Sequence, residues 1–465
     1  MTAQTPTPTA ALVARRHRLL AALGDAPALI VAGRPRSRNY PANTTPFRAE
    51  SHFLYFVGRP IAGAALLLDR GRSTLLVEPP EPDHALWLGE TPSDEAIRED
   101  TGVDEVIALD RVVDVVGGRR GELATLPSND EAVAAWQSEA TGRTIRARTG
   151  ARVEGVDARL ADAVIAIRLA HDEAGLAQIR AAVEVTTAAH LACSRAVRPG
   201  IRESEARAAI EAVFLAADMA PSFGTIATVR GEVLHNESHG GLVREGDLVL
   251  CDAGAETSEG WASDVTRVYP ASGRFSATQR AIYDVVHAAN RAAIAKIAPG
   301  VSYRDVHLEA GRTVLRGLVD LGIFRGDVDG LFERGAHTLF FPHGVGHLMG
   351  LDVHDLEDLG DRAGYAPGRS RSQRFGDAYL RLDRDLVAGM VVTIEPGFYQ
   401  VPAILRDPAI VGPVEADLDR AALARFADVR GIRLEDDVLV TASGSEILTR
   451  AIPIEASAVE ASMRG

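Results

Sequence analysis

The stretch Asp247-Leu-Val-Leu-Cys-Asp252-Ala-Gly-Ala-Glu-Thr-Ser-Glu-Gly-Trp-Ala-Ser-Asp264-Val-Thr-Arg267 decides how the second half of the chain reads. Leu248 to Cys251 is a short apolar run with the length of a buried strand. Trp261 to Val268 supplies another beyond the turn-forming Thr257-Ser-Glu-Gly260. The two make a hairpin. Asp252 and Asp264 lie symmetrically about a centre near Ser258, so simple pairing sets them opposite each other on one face, with Cβ atoms about 5 Å apart. Carboxylates so placed repel. If both stay ionised, something cationic has to sit between them, and a pair of divalent ions about 3.5 to 4 Å apart is a common answer. Two aspartates that merely cap the turn in water would explain the same residues.

At 465 residues the chain exceeds one ordinary domain, and two or three are expected. Apolar residues make up 46% and charged residues 25%, a globular composition rather than a disordered or membrane one. The net charge of −14, with no compensating basic tract, argues against a nucleic-acid partner. Arg15-Arg16-His17-Arg18 is short and reads as the solvated face of an Ala/Leu helix. Two cysteines, Cys193 and Cys251, exclude a disulfide scaffold and fit a reducing compartment. With no signal-peptide pattern and no run of about 18 apolar residues, a soluble cytoplasmic protein without membrane contact is expected.

The first part of the chain alternates. Ala11 to Gly24 has helical periodicity; Ala28 to Ala32, Phe53 to Gly58, Gly63 to Leu68, Ser73 to Val77 and Val106 to Leu109 read as strands, and Asp94 to Thr101 as a helix. This is the pattern of a small α/β domain, taken as residues 1–160. Residues 161–465 then form a second domain of mixed α+β organisation. Long helices occupy Asp157 to Ala196, Ser204 to Met219, Thr278 to Lys296 and Tyr303 to Leu321. Strands fall at Thr225 to Val229, Val391 to Glu395, Gly431 to Leu434 and Val438 to Val440. No Gly-x-Gly-x-x-Gly follows a strand, which disfavours a Rossmann sheet.

Several features beyond the aspartates carry chemistry. Phe341-Pro-His343-Gly-Val-Gly-His347 holds two histidines in a glycine-rich turn, so their four-residue separation is not a helical zinc motif. One can bind metal while the other meets substrate; two histidines hydrogen-bonded in a loop would look the same. Glu395 ends an apolar strand and precedes Pro396, which holds it extended. Glu435 opens an acidic cluster with Asp436 and Asp437, costly in an apolar neighbourhood unless paired or metal-bound. Two aspartates, one histidine and two glutamates suit Mn²⁺, Co²⁺ or Zn²⁺ better than a soft metal. Two such ions can activate a water and polarise a carbonyl, which leads to amide hydrolysis, with Glu395 placed to carry the proton.

The ordered set Leu234-His235, Asp252-Ala-Gly, Ala262-Ser-Asp264-Val-Thr-Arg267, His343-Gly-Val-Gly-His347, Asp352-Val-His354-Asp, Thr393-Ile-Glu395-Pro-Gly and Gly431-Ile-Arg433-Leu-Glu435-Asp resembles the Xaa-Pro peptidase branch of the pita-bread metallopeptidases, which comprises aminopeptidase P and prolidase. The first half is similar too, at Thr45-Pro-Phe-Arg-Ala-Glu-Ser-His-Phe53 and His84-Ala-Leu-Trp87-Leu-Gly. The resemblance implies a C-terminal pita-bread catalytic domain behind a smaller α/β domain. It makes Asp252, Asp264, His347, Glu395 and Glu435 the ligands of two divalent ions, Mn²⁺ foremost. By the same match His235, His343 and His354 hold substrate and help move protons, Arg433 supports a ligand aspartate, and Arg381 and Tyr399 lie near the substrate. Trp87 matches a tryptophan that reaches a neighbouring subunit's pocket, and a homodimer or higher oligomer is expected. A purely structural role for Trp87 or Arg381 fits as well.

Departures bear on the substrate. The hairpin is one residue longer than the common version, and Gln400 to Val429 forms a long connection of the length prolidases have. Tyr379-Leu-Arg381 and Ile454-Glu-Ala-Ser also look prolidase-like, whereas Tyr55-Phe-Val-Gly58 looks more like aminopeptidase P. The expectation is therefore an Xaa-Pro dipeptidase, with an aminopeptidase acting on longer peptides as the alternative. A catalytically silent binding module is disfavoured because all five ligands are present, and creatinase-like chemistry because that branch lacks the metal set.

Overall fold

The central hairpin forms, with a register set by its turn. The computed structural model describes residues 4–148 and 153–464. Strands Leu248–Ala253 and Val265–Pro270 pair antiparallel, and Asp252 faces Thr266 rather than Asp264, which corrects the symmetric pairing about Ser258. The turn supplies the reason. Thr257 N–H donates to Trp261 O (2.9 Å) and Gly260 N–H to Thr257 O (2.8 Å), so three residues loop out and the last, Gly260, takes φ +89°. The centre moves to Glu259, and the same register puts Asp264 opposite Gly254. The two aspartates stay on one face as diagonal neighbours, about 7 Å apart at Cβ.

Around this hairpin one compact unit is built from Gln4, Ala170–Glu357 and residues 361–464. Ile226–Thr228 adds a third strand on the far edge of Leu248–Ala253. Val391–Ile394, Asp436–Val440 and Ser445–Ile447 form another three-stranded sheet, and Gly397–Tyr399 pairs with Gly431–Arg433. Pairings among these strands are antiparallel and their residues are almost all buried, so helices have to cover them. Ala277–Ala295 shows why such helices form. Ser276 and Gln279 make a reciprocal capping box, and Ile282, Val286, Ala289 and Ala293 recur at helical spacing on its buried face. Burial of each larger side chain stabilises by about 1.5 to 3 kcal/mol. The unit is α+β, as the mixed runs predict. The connection from Gln400 onward folds into short helices Pro402–Arg406, Pro408–Val411 and Arg420–Ala424.

The other unit comprises Thr5–Leu169 with Asp358–Gly360. Its five-stranded mixed sheet runs in the order Glu105–Ala108, Arg72–Val77, Ala65–Asp69, Ala28–Val31, Ala124–Thr125, around a core that includes Leu29, Val31, Leu67 and Leu76. Helix Gly155–Arg168 belongs to this unit, so a boundary at residue 160 would cut it. Two expectations are corrected here. Phe53 to Gly58 is not a strand but part of helix Ser51–Val57, buried on all sides; a short apolar run gives no period to tell the two apart. Arg15 and Arg16 are buried, not solvated. Their guanidiniums donate to Tyr55 O (3.1 Å) and Phe56 O (2.7 Å), carbonyls that the end of that helix leaves without helical partners. No described helix is long and apolar enough to cross a membrane.

Candidate metal centre

Three backbone segments of the larger unit converge. The His343–His347 loop runs along strand Val391–Ile394: Thr393 N–H donates to His347 O (3.0 Å), Glu395 N–H to Val345 O (2.7 Å), and His347 N–H to Thr393 Oγ1 (3.1 Å). So close an approach leaves no space for a side chain at Gly346, where a Cβ would lie 2.1 Å from Thr393 O. Glu435 N–H donates to Thr266 O (3.1 Å), tying the third segment to the hairpin. These bonds bring His347, Glu395, Glu435 and the two hairpin aspartates to a cavity of about 680 Å³.

Each side chain has a fixed orientation. Asp264, His347 and Glu435 offer ligand atoms that all lie within 4.8 Å of one another. His347 Nδ1 is 2.9 Å from Leu348 O, so that nitrogen carries the proton and donates. Nε2 is left with its lone pair, 3.5 Å from Asp264 and 3.8 Å from Glu395. This is the tautomer a metal ligand needs. Arg433 lies beneath: it donates to Asp252 and to Thr266 Oγ1 (2.9 Å), while Thr266 donates to Glu435 (2.8 Å). Asp437, from behind, accepts the Asp264 N–H (3.1 Å).

The electrostatics point the same way. Burial pushes the Asp264 and Glu435 carboxyls well above their ordinary values, with Glu435 and then Asp252 adding to the rise at Asp264, and Glu395 and then Asp252 at Glu435. Glu395 is raised to about 7, chiefly by burial. Burial lowers His347 to about 4 and His343 to about 3, which keeps both imidazoles neutral. Oδ1 of Asp252 and Oδ1 of Asp264 are buried without a hydrogen-bond partner, a costly state for a carboxylate. Buried acceptor oxygens without donors, beside an imidazole nitrogen with a free lone pair, fit divalent cations.

Other residues expected at the site distribute unevenly. His235, His354 and Arg381 line the cavity, as do His343 and Arg433. His354 packs edge-on to His347 with ring centroids 4.2 Å apart, and lies 3.5 Å from Glu357. Arg381 also pairs with Glu357, at 2.6 Å. His343 has both ring nitrogens engaged, Nδ1 with Gly344 O (2.7 Å) and Nε2 with Tyr399 Oη (2.9 Å), so it presents its ring rather than a free nitrogen. Tyr399 is fully buried under that wall and accepts from Arg433 (3.2 Å). Trp87 belongs to the other unit, exposed on helix His84–Leu88 with its indole N–H on Asp83 (3.0 Å). Sequence reasoning missed the support given by Glu357 and Thr266; Thr266 lay in a quoted motif, whereas nothing local marks Glu357. It also passed over the apolar wall of Phe223, Ile226, Leu234 and Val353.

A sequence model of metallopeptidase family M24 matches residues 177–442, and one of the aminopeptidase P N-terminal domain matches residues 12–122. The chain belongs to family M24. This M24 chain is 32% identical to the Xaa-Pro dipeptidase of Homo sapiens over 98% of its own length and 94% of the relative's. It is 34% identical to a probable Xaa-Pro aminopeptidase of Colletotrichum graminicola, over 88% and 86%. Among solved structures it is similar to the Pseudomonas aeruginosa aminopeptidase PepP, with a TM-score of 0.80, 29% identity and 99% of both chains covered. A zinc-substituted Escherichia coli aminopeptidase P in complex with product gives 0.79 at 28% identity, again over 99% of both. The fold is thus the M24 pita-bread domain with an aminopeptidase P-type N-terminal domain, and divalent-metal use goes with the family and with the Asp264, His347, Glu435 cluster.

Proposed function

We propose that the chain hydrolyses the bond between an N-terminal residue and proline, acting foremost as an Xaa-Pro dipeptidase. The observation that carries this reading is the buried carboxylate and imidazole cluster opening into a cavity of about 680 Å³, in a chain similar along nearly its whole length to Xaa-Pro dipeptidases. Asp252, Asp264, His347, Glu395 and Glu435 would hold two divalent ions, Mn²⁺ foremost, with Zn²⁺ or Co²⁺ as substitutes. Bound there, the ions supply Lewis acidity for a water and for the scissile carbonyl.

The chain's own residues supply the rest. A prolyl nitrogen carries no N–H and leaves as a secondary amine, so it requires a proton at the moment of cleavage. Glu395, which faces the cavity beside the His347 imidazole, can take a proton from water and return it to that nitrogen. His354 and His235, both shifted toward the neutral form, line the cavity where they can hydrogen-bond the peptide. Arg433 is buried and committed to Asp252, whereas Arg381, held by Glu357 through one guanidinium nitrogen, also lines the cavity and is the cation placed for a free prolyl carboxylate. His343 and Tyr399 brace the wall, and Trp87 would serve a neighbouring subunit in a homodimer. The expected setting is the cytoplasm, and the partners are proline-containing dipeptides or peptides.

The similarity to aminopeptidase P structures favours one alternative, cleavage of longer peptides. Hydrolysis of Ala-Pro and of Ala-Pro-Ala by Mn²⁺-loaded protein, with Asp264→Ala as control, separates the two. Efficient cleavage of the tripeptide with the dipeptide untouched would overturn the dipeptidase preference.

A further inference from the structure

One wall of the cavity is mounted unlike the others. Tyr379 and Arg381 both line it, while Leu380 between them is extended and buried in the core. Tyr379 ends the 3₁₀ turn Asp377–Tyr379, and the chain leaving that turn through Leu380 brings Arg381 to the same cavity. Leu380 packs so tightly on the histidine loop that a Cβ at Gly344 would come within 2.8 Å of its Cα. Its carbonyl accepts from Tyr365 Oη (2.7 Å) and an Arg371 nitrogen (2.9 Å).

Just upstream, Asp377 is a buried anchor. One of its oxygens receives His307 Nε2 and His337 Nε2, each at 3.2 Å, and the other receives Arg374 Nε at 2.6 Å. Burial opposes ionisation, yet the two histidine hydrogen bonds hold the Asp377 carboxyl far below its usual range. The segment is therefore rigid. Tyr379 nevertheless leaves 57% of its surface exposed, so its ring adds little to the core.

Resting on the Xaa-Pro reading above, we propose that Tyr379 is a specificity-determining residue that closes the cavity beyond the prolyl ring, with Asp377 as the residue that positions it. A third residue in the substrate does two things. It turns the prolyl carboxylate into an amide, which removes the charge that Arg381 pairs with, and it extends the chain toward the Tyr379 ring. Tyr379 supplies the steric part of the selection and Arg381 the electrostatic part.

The test uses full-length, Mn²⁺-loaded protein and compares kcat/KM for Ala-Pro-Ala with kcat/KM for Ala-Pro. Tyr379→Ala, at an exposed position that does not threaten folding, is expected to raise that ratio at least about tenfold, the worth of roughly 1.4 kcal/mol of lost discrimination. Tyr379→Phe keeps the ring and the wild-type ratio. Asp377→Asn raises the ratio in the same direction, a change that general loss of structure would not produce because both substrates would suffer alike. Wild-type protein that prefers the tripeptide, or a ratio unmoved in Tyr379→Ala while Ala-Pro is still cleaved, overturns the role of Tyr379 and leaves the Xaa-Pro reading standing. Wild-type protein inert on both peptides overturns that reading itself.

Discussion

Replacing Glu395 with glutamine in metal-free protein isolates what the site's carboxylates cost when no cation balances them. Burial raises the Glu395 carboxyl from 4.5 to about 7, against the pull of Arg433. The folded protein therefore binds this proton more tightly than the unfolded chain does. Stability from this group is present below pH 4.5 and is lost as the pH rises toward 7, because ionisation is easier in the unfolded state. At about 1.36 kcal/mol per pH unit the loss comes to about 3 kcal/mol, and with the side chain only 17% exposed, solvent screening reduces it little. An amide of the same shape carries no such cost. In protein stripped with EDTA, Glu395→Gln is expected to be about 3 kcal/mol more stable than wild type near pH 7.5 and equal to it near pH 4.5, read by urea denaturation at unchanged m-value. His190, lowered to about 4 chiefly by burial, moves stability the opposite way, but it is common to both proteins and cancels in the difference. Saturating Mn²⁺ reverses the order, since the ions bind the folded wild type more tightly. A glutamine variant no more stable than wild type near pH 7.5, or a difference that ignores pH, refutes the reasoning.

Other substitutions test neighbouring parts of the account. Arg433→Met leaves Asp252 without its buried cation and is expected to cost about 3 to 5 kcal/mol in metal-free protein near pH 7.5, measured by denaturation. Gly346→Ala drives a methyl into Thr393 O and the Tyr303 hydroxyl, so a loss of about 3 kcal/mol and a melting temperature several degrees lower should accompany loss of activity. His347→Ala removes the imidazole proposed as a metal ligand; kcat/KM on Ala-Pro should fall on the order of a thousandfold, with less metal retained after dialysis.

The catalytic half was legible where chemistry and local pattern coincide. Asp252 lies near the end of the buried strand Leu248–Ala253 and Asp264 directly before the far arm Val265–Pro270 of the same hairpin, so their convergence could be read from the chain. The register could not, because the three-residue loop closing on Gly260 adds a residue that symmetric pairing ignores. His347 was readable as a candidate ligand, but its tautomer depends on the Leu348 carbonyl, a matter of backbone direction. Glu357 joins Arg381 and His354 only in three dimensions and carries no local signal. In the N-terminal unit, Phe53 to Val57 is apolar at every position, so periodicity had nothing to report, and the burial of Arg15 and Arg16 depends on carbonyls some forty residues away.

The central claim is a dinuclear site built by the five converging side chains. Its most direct test is the metal content per chain of purified wild type and of Asp264→Ala, measured by mass spectrometry alongside Ala-Pro hydrolysis. Two divalent ions per wild-type chain, activity that EDTA abolishes and Mn²⁺ restores, and an inactive variant with fewer ions are predicted. Wild-type protein that cleaves Ala-Pro at full rate with no divalent metal bound would contradict the account.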